Sequence, residues 1–312
     1  MKTITPTTTR TSSYPVLAWV LLLLLSIIWG TSFLLIKKGL EVFPPIQVAS
    51  LRIASAFLVV VVPALWHFRL VPKHKIGFLL LSGLLGNLIP AFLFAIAQTE
   101  IKSSVASILN SLTPFFTFVV GVLFFSKKSA WQKAIGIGLG IVGTVLIFVQ
   151  KGGIEFNAYA LLIVLATMCY GFNVNLTGKY LADVRPIHIT SISIFMVGMM
   201  ANIFLFGFTD FVDVYRNAPV TKTSLGVFTD VPKTELALVA VMVLGIVGSG
   251  ISSIVFYKLL QISSPLFASS VTYMIPIVGV SLGVLSGETI TMWHLIGMSF
   301  IIFGVLLMNR SK

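Results

Sequence analysis

The chain has 312 residues, 57% of them hydrophobic and 10% charged, with a formal net charge of +12 and a mean hydropathy of +1.04. Soluble domains carry about a quarter charged residues, so this composition excludes a soluble body and leaves little length for an extramembrane domain. The Lys and Arg residues are scattered through short loops, which excludes nucleic acid as the partner of the positive charge, and the single cysteine, Cys169, excludes an intrachain disulfide and a Cys-rich metal site.

Residues 1–15, rich in Thr, Ser and Pro, read as a disordered cytoplasmic tail. Lys2 and Arg10 ahead of the apolar run Leu21–Leu25 imitate a secretory leader. The run continues through Ile27, Ile28 and Trp29 with no A-x-A site, as an uncleaved first span does. A helix needs about 20 mainly apolar residues to cross the hydrocarbon core. Ten stretches fit: 16–36, 46–66, 76–97, 104–125, 131–149, 158–178, 187–208, 236–257, 265–286 and 291–308. Backbone amides cannot stay unpaired in lipid, so the expected fold is an all-α integral membrane protein of ten transmembrane helices.

Loop charges set the expected orientation. With the N-terminus inside, Arg69, Lys73, Lys75, Lys179, Arg185 and Lys258 fall on the cytoplasmic side, and both termini are cytoplasmic. The longest outer loop, 209–235, offsets Arg216, Lys222 and Lys233 with Asp210, Asp213 and Asp230. Lys37 and Lys38 stand on the wrong side and are read as snorkelling from the end of the first span.

The halves 16–150 and 154–312 overlay. Trp29-Gly30 matches Tyr170-Gly171, and Pro45 and Pro186 follow at equal spacing. Further on, Gly86, Phe94, Ala106, Ser107, Pro114, Gly121 and Trp131 keep one offset from Gly248, Phe256, Ala268, Ser269, Pro276, Gly283 and Trp293. Each copy holds an odd number of spans, so the fold is expected to be two inverted five-helix repeats. That arrangement is a transporter signature, because exchanging the conformations of the halves turns an inward-open cavity outward.

Three stretches carry a resemblance: S-I-I-W-G-T-S-F from Ser26, P-P-I-Q-V-A-S-L-R-I-A-S-A from Pro44, and S-S-P-L-F-A-S-S-V-T-Y-M-I-P-I-V-G-V-S-L-G-V-L-S-G-E from Ser263. The chain resembles the drug/metabolite transporter superfamily, specifically the EamA family of ten-helix permeases, over nearly its whole length. The resemblance implies an exporter of a small metabolite, often an amino acid or related compound, in a plasma membrane, here a bacterial inner membrane. A lipid or nucleotide-sugar carrier of the same superfamily is the alternative. Where the second copy has Gly287-Glu288 the first has Phe125-Ser126-Lys127-Lys128, so a role needing a Glu in both halves does not carry over.

Arg52 is the charge clearly inside a span, about 9 Å from its outer end at ~1.5 Å per residue. It has two readings: it snorkels outward, or bonds to helix ends, and fixes packing; or it meets an anionic group of the solute. All nine carboxylates lie in loops or at span ends. Transport driven by a proton on a midplane carboxylate is therefore not expected, with Glu288 as the fallback carrier. The expected central site is Asn87, Asn173, Ser252 and Tyr273, with Trp29 on its wall. Tyr170, Asn110, Ser249 and Ser253 lie at similar depth. Pro114 and Pro276, at equivalent positions, kink their helices and serve as paired gating points or as static shape. Gly136, Gly138, Gly140 and Gly143 form a small-residue stripe expected to face the last helix.

The match of Gly279–Gly283 to G-x-S-x-G lies inside a continuous apolar run, not at the strand-to-helix turn the motif needs. No H-E-x-x-H and no phosphate loop are present in the sequence. The expectation is a permease, not an enzyme, with no cofactor, metal or ATP. Its partners are a small-molecule solute and the lipid bilayer; no oligomeric state is read. An intramembrane hydrolase and a non-transporting scaffold are the rivals.

Overall fold

A computed structural model describes residues 15–126, 131–147, 149–150, 153–154, 157–218, 222–225 and 228–310. The expected tail lies outside these residues apart from Pro15. The apolar runs form α1 (Val16–Leu40), α2 (Pro45–His67), α3 (Lys73–Ala97), α4 (Ser103–Phe125), α5 (Trp131–Ile147), α6 (Tyr159–Tyr180), α7 (Pro186–Phe208), α8 (Lys233–Ile262), α9 (Phe267–Leu285) and α10 (Met292–Arg310). Among the described residues eight of these, α1–α4 and α6–α9, are long and apolar enough to cross a bilayer. Shorter apolar stretches, Gly138–Ile147 and Met292–Gly304, lie in α5 and α10. Proline opens α2 and α7, where its missing N–H has no helical partner to lose.

Two details depart from expectation. Small antiparallel hairpins join α5 to α6 (Val149–Gln150 with Gly153–Ile154) and follow α7 (Lys222–Leu225 with Phe228–Pro232). They lie outside the spans, where water can satisfy an open strand edge. Helix α8 also starts earlier than its apolar run, at Lys233, with Glu235 in the first turn, where a negative side chain suits the helix dipole.

Helices pack mainly on distant partners: α2 along α7, α4 on α9 and α6, α5 along α10, and α1 between α8 and α9. Gly136, Gly140 and Gly143 of the α5 stripe face α10; Gly138 does not. A Cβ at Gly143 would lie 2.6 Å from the carbonyl oxygen of Gly297, and one at Gly304 would lie 2.6 Å from that of Gly136. Only glycine permits so close an approach of two backbones.

Four central helices are irregular at mid-depth. Helices α3 and α8 each contain a π-helical turn, Leu84–Leu88 and Ile246–Ile251. Helix α4 breaks between Asn110 and Thr113, just before Pro114. Helix α9 tightens into a 3₁₀ turn, Ser270–Tyr273, just before Pro276. Each proline removes one backbone bond and crowds the carbonyl four residues back, so the disturbance falls upstream of the ring.

Candidate functional site

These irregular turns surround one cavity. Seven helices supply its wall: α1, α2, α3, α4, α6, α8 and α9. About 820 Å³ of space lies between the walls, mouth included. Much of the lining is aromatic, from Trp29, Phe33, Phe94, Tyr170, Phe256 and Tyr257. Many lining residues come as counterparts from the two halves of the sequence: Trp29 with Tyr170, Ser32 with Asn173, Gly86 with Gly248, Phe94 with Phe256, and Asn110 with Thr272.

Of the five residues expected to bind solute, Trp29, Asn87 and Asn173 border the cavity. Asn87 is carried there by the π turn of α3. The Trp29 indole donates to the Gly248 carbonyl and to Ser252 Oγ, each at 3.0 Å, and its ring leans on Phe256. Ser252 is fully buried behind that indole and itself donates to the Gly248 carbonyl at 2.6 Å. It orients Trp29 and does not line the cavity.

Tyr273 does not line the cavity either. The 3₁₀ turn advances about 120° per residue, which presents Thr272 to the cavity and turns Tyr273 toward Phe115 and Phe118. The Tyr273 hydroxyl is buried there without a hydrogen-bond partner among the described residues. Pro114 and Pro276 sit behind the wall, shaping it through the breaks they cause; Asn110, Thr113 and Ile275 line it beside them.

Asn173 anchors a buried polar knot. Its Oδ1 accepts from Ser82 Oγ at 2.8 Å, and Tyr257 Oη lies 2.9 Å from Ser82 Oγ and 3.4 Å from Asn173 Nδ2. The knot ties α3, α6 and α8 together. Sequence reasoning missed Ser82 and Tyr257. The signal was present: Ser249, Ser253 and Tyr257 recur every four residues, one face of α8.

Arg52 points inward, which removes the outward-snorkelling reading. It borders the cavity, donates from Nε to Ser249 Oγ at 2.9 Å, and hydrogen-bonds the Tyr170 side chain. Ser249 lies in the π turn of α8. Helix α8 comes this near because residue 245 is glycine: a Cβ there would lie 2.2 Å from the Arg52 carbonyl oxygen. Arg52 is the one charged residue on the described lining. The ion pairs among the described residues, Lys38 with Glu41 and Lys75 with Asp183, both lie elsewhere.

Glu288, past the end of α9, clamps the start of α4. Its Oε1 accepts from the Ser103 amide at 2.9 Å and from Ser103 Oγ at 2.5 Å; its Oε2 accepts from the Ser104 amide at 2.9 Å and from Ser104 Oγ. Burial pushes the carboxyl up, but these four bonds outweigh it and hold Glu288 below the usual glutamate value. A carboxylate so held is a helix cap rather than a proton carrier on the cavity.

The family model for EamA-like transporters matches the chain twice, over residues 16–149 and 157–310. The chain belongs to the EamA-like transporter family. It is therefore a transporter of the drug/metabolite type and a multi-pass membrane protein. It is 26% identical over 294 residues to the uncharacterized inner membrane transporter YedA of Escherichia coli (strain K12), covering 92% of this chain and 89% of that one. Over 130 residues it is 35% identical to a probable amino-acid metabolite efflux pump of Salmonella typhimurium (strain LT2), covering 41% of each chain. A crystal structure 17% identical in sequence superposes with a TM-score of 0.62 over 95% of this chain and 98% of that one, a likeness of fold.

Proposed function

We propose that this family member is a ten-helix permease of two inverted five-helix repeats that exports a small organic metabolite, an amino acid or a related compound, by alternating access. The observation that carries this reading is the cavity wall built from repeat counterparts. A site between inverted repeats at mid-depth is where such carriers hold their cargo. Packing agrees with it, since α2 on α7, α4 on α9 and α5 on α10 each join a helix to its repeat counterpart. The double match of the family model and the relative named as an amino-acid metabolite efflux pump support it further.

The proposed setting is a bacterial inner membrane with both termini cytoplasmic. Alternating access then works through the irregular turns. A π turn or a proline break leaves backbone carbonyls without helical partners, and such turns shift register more easily than regular helix. Trp29, Asn87, Asn173 and Arg52 contact the solute in this reading, and the breaks before Pro114 and Pro276 are the gating points. With no carboxylate on the described lining, flux does not require a pH gradient.

Counterflow in proteoliposomes tests the reading. Purified protein loaded with unlabelled metabolite should draw in labelled metabolite of the same kind without an imposed pH difference. The variant Asn87→Ala should lower that flux at normal membrane expression. A carrier that exchanges nothing from a broad amino-acid and organic-acid panel, or that stops whenever an uncoupler is added, contradicts it.

A further inference from the structure

Among the groups lining the carrier's cavity are one charge and a buried acceptor without a partner, and together they describe a cargo. The charge is Arg52, which borders the cavity and meets no carboxylate among the described residues. The acceptor is Asn110 Oδ1. Asn110 also borders the cavity and is 5% exposed, yet this oxygen has no hydrogen-bond partner among the described residues. Both lie seven residues in from the start of their helices, Pro45 of α2 and Ser103 of α4. At ~1.5 Å per residue that is about 10 Å of depth for each. The rest of the wall mixes aromatic rings with neutral polar groups, among them Asn87, Asn173 and Thr272.

We propose that the cargo is an organic carboxylate carried as a net monoanion, with a neutral hydrogen-bond donor near the carboxylate and an apolar body: a 2-hydroxy acid or an N-acylated amino acid, in preference to a zwitterionic amino acid. This rests on the transporter reading above and narrows its substrate class.

The physical argument compares what each cargo leaves unpaired. A guanidinium buried without a counter-charge is costly, by several kcal/mol even after relaxation. A carboxylate offers it the planar, two-oxygen partner its fork of N–H groups fits. Nε is engaged with Ser249 and the guanidinium also meets Tyr170, so the N–H groups that remain are the ones left to meet the ligand. A neutral hydroxyl or amide N–H satisfies Asn110 Oδ1, which otherwise stays unpaired. A zwitterion would pair its carboxylate equally well. It would also bring an ammonium that must lose its water, with neutral acceptors and ring faces to receive it, and the loaded cavity would keep one net positive charge.

The charge of the cargo sets the energetics of transport. A zwitterion crosses without responding to membrane potential, whereas a monoanion is driven outward by an inside-negative one. One elementary charge is worth about 2.3 kcal/mol per 100 mV, an outward accumulation of roughly 50-fold at equilibrium. No proton is needed, which agrees with a lining that lacks a carboxylate.

The test uses the full-length protein and three probes that share one side chain: L-leucine, its 2-hydroxy analogue and isocaproate, which lacks the donor. Binding is read from fluorescence of the purified protein in detergent, where Trp29 borders the cavity. Flux is read in proteoliposomes with a potassium-diffusion potential. The hydroxy acid should bind at least tenfold tighter than leucine and several-fold tighter than isocaproate, and its efflux should rise when the interior is made negative. Arg52→Gln should erase the preference for anions over leucine, Arg52→Lys should keep part of it, and Asn110→Leu should erase only the gap between hydroxy acid and isocaproate. Leucine bound as tightly as the hydroxy acid, flux indifferent to potential, no anion bound at all, or Arg52→Gln folded with the anion preference intact would each overturn the proposal. Arg52-dependent anion binding without flux would leave the cargo assignment standing and remove the transporter reading instead.

Discussion

A Cβ on Gly86 would lie 2.5 Å from Nδ2 of Asn173. The same relationship recurs across the chain, more loosely, where a Cβ on Gly248 would lie 3.2 Å from Oγ of Ser32. Gly86 and Gly248 are repeat counterparts, as are Asn173 and Ser32. Each glycine sits in a π turn and makes room for a polar side chain of the opposite half.

The two contacts should respond differently to alanine. Asn173 is held by Ser82 and Tyr257, so it can move aside only by giving up those bonds. Gly86→Ala should therefore destabilise by about 1–3 kcal/mol, the usual cost of overpacking, and lower flux at least tenfold. Gly248→Ala should be milder, because Ser32 Oγ needs to move by only a few tenths of an ångström. Thermal melts in detergent and counterflow on both variants check the order; equal effects would contradict it.

Helices α5 and α10 offer a sharper contrast away from the cavity. Gly143→Ala drives a methyl into the backbone of Gly297, whereas a Cβ on Gly138 meets nothing within 4 Å. The first should lower stability by about 1–3 kcal/mol. The second should be neutral or slightly stabilising, since Ala is the better helix former. Neither should change the affinity for a solute, because neither residue borders the cavity. Melting temperatures of the two variants, with binding measured alongside, decide it.

The clamp of Glu288 on α4 makes a pH prediction with a definite sign. Its carboxyl is held below the usual glutamate value, so its contribution is complete above that value and is lost as the pH falls through the depressed one. Melting temperature should stay flat from neutral pH down to the ordinary glutamate range and drop only in stronger acid. Glu288→Gln places an amide N–H₂ against serine donors and should lower stability already at neutral pH. A wild-type melt already falling well above ordinary glutamate pH, or a neutral-pH melt unchanged by Glu288→Gln, would contradict the clamp.

Helix positions and depth were legible because lipid admits few solutions: an apolar run near the spanning length becomes a helix, and polar residues mid-run mark the interior. Asn87, Asn173 and Trp29, read that way, border the cavity. Ser252 and Tyr273 lie at similar depth but off its wall, because depth carries no azimuth. A π turn or a 3₁₀ turn rotates every later side chain, and no pattern of apolar residues announces one. Arg52 stayed ambiguous in the sequence for another reason: its direction depends on Gly245 letting α8 close in, a contact between residues far apart in the chain.

Sidedness is the remaining expectation to test, and the loops sort into two faces by their own contacts. Lys75, in the first turn of α3, pairs with Asp183, between α6 and α7, and Gln261 at the end of α8 donates to the Val184 carbonyl at 2.6 Å. On the opposite face Lys102 donates to Thr289 Oγ1 at 2.6 Å, and Gln47 donates to Asp210 at 2.8 Å. The positive charges on that second face that troubled the orientation are locally spent: Lys37 donates to the Gln98 carbonyl at the end of α3, and Lys38 pairs with Glu41. The free Lys and Arg residues around Arg69, Lys73 and Arg185 lie on the first face, which the positive-inside rule makes the expected cytoplasmic one. Cys169 is buried in α6, so a Cys169→Ala background should tolerate single reporter cysteines. His74→Cys should react with a membrane-impermeant maleimide only after the cells are opened, and Thr99→Cys should react on intact cells. Both positions are exposed, so a missing signal at either would not come from burial. The reverse labelling pattern would invert the orientation.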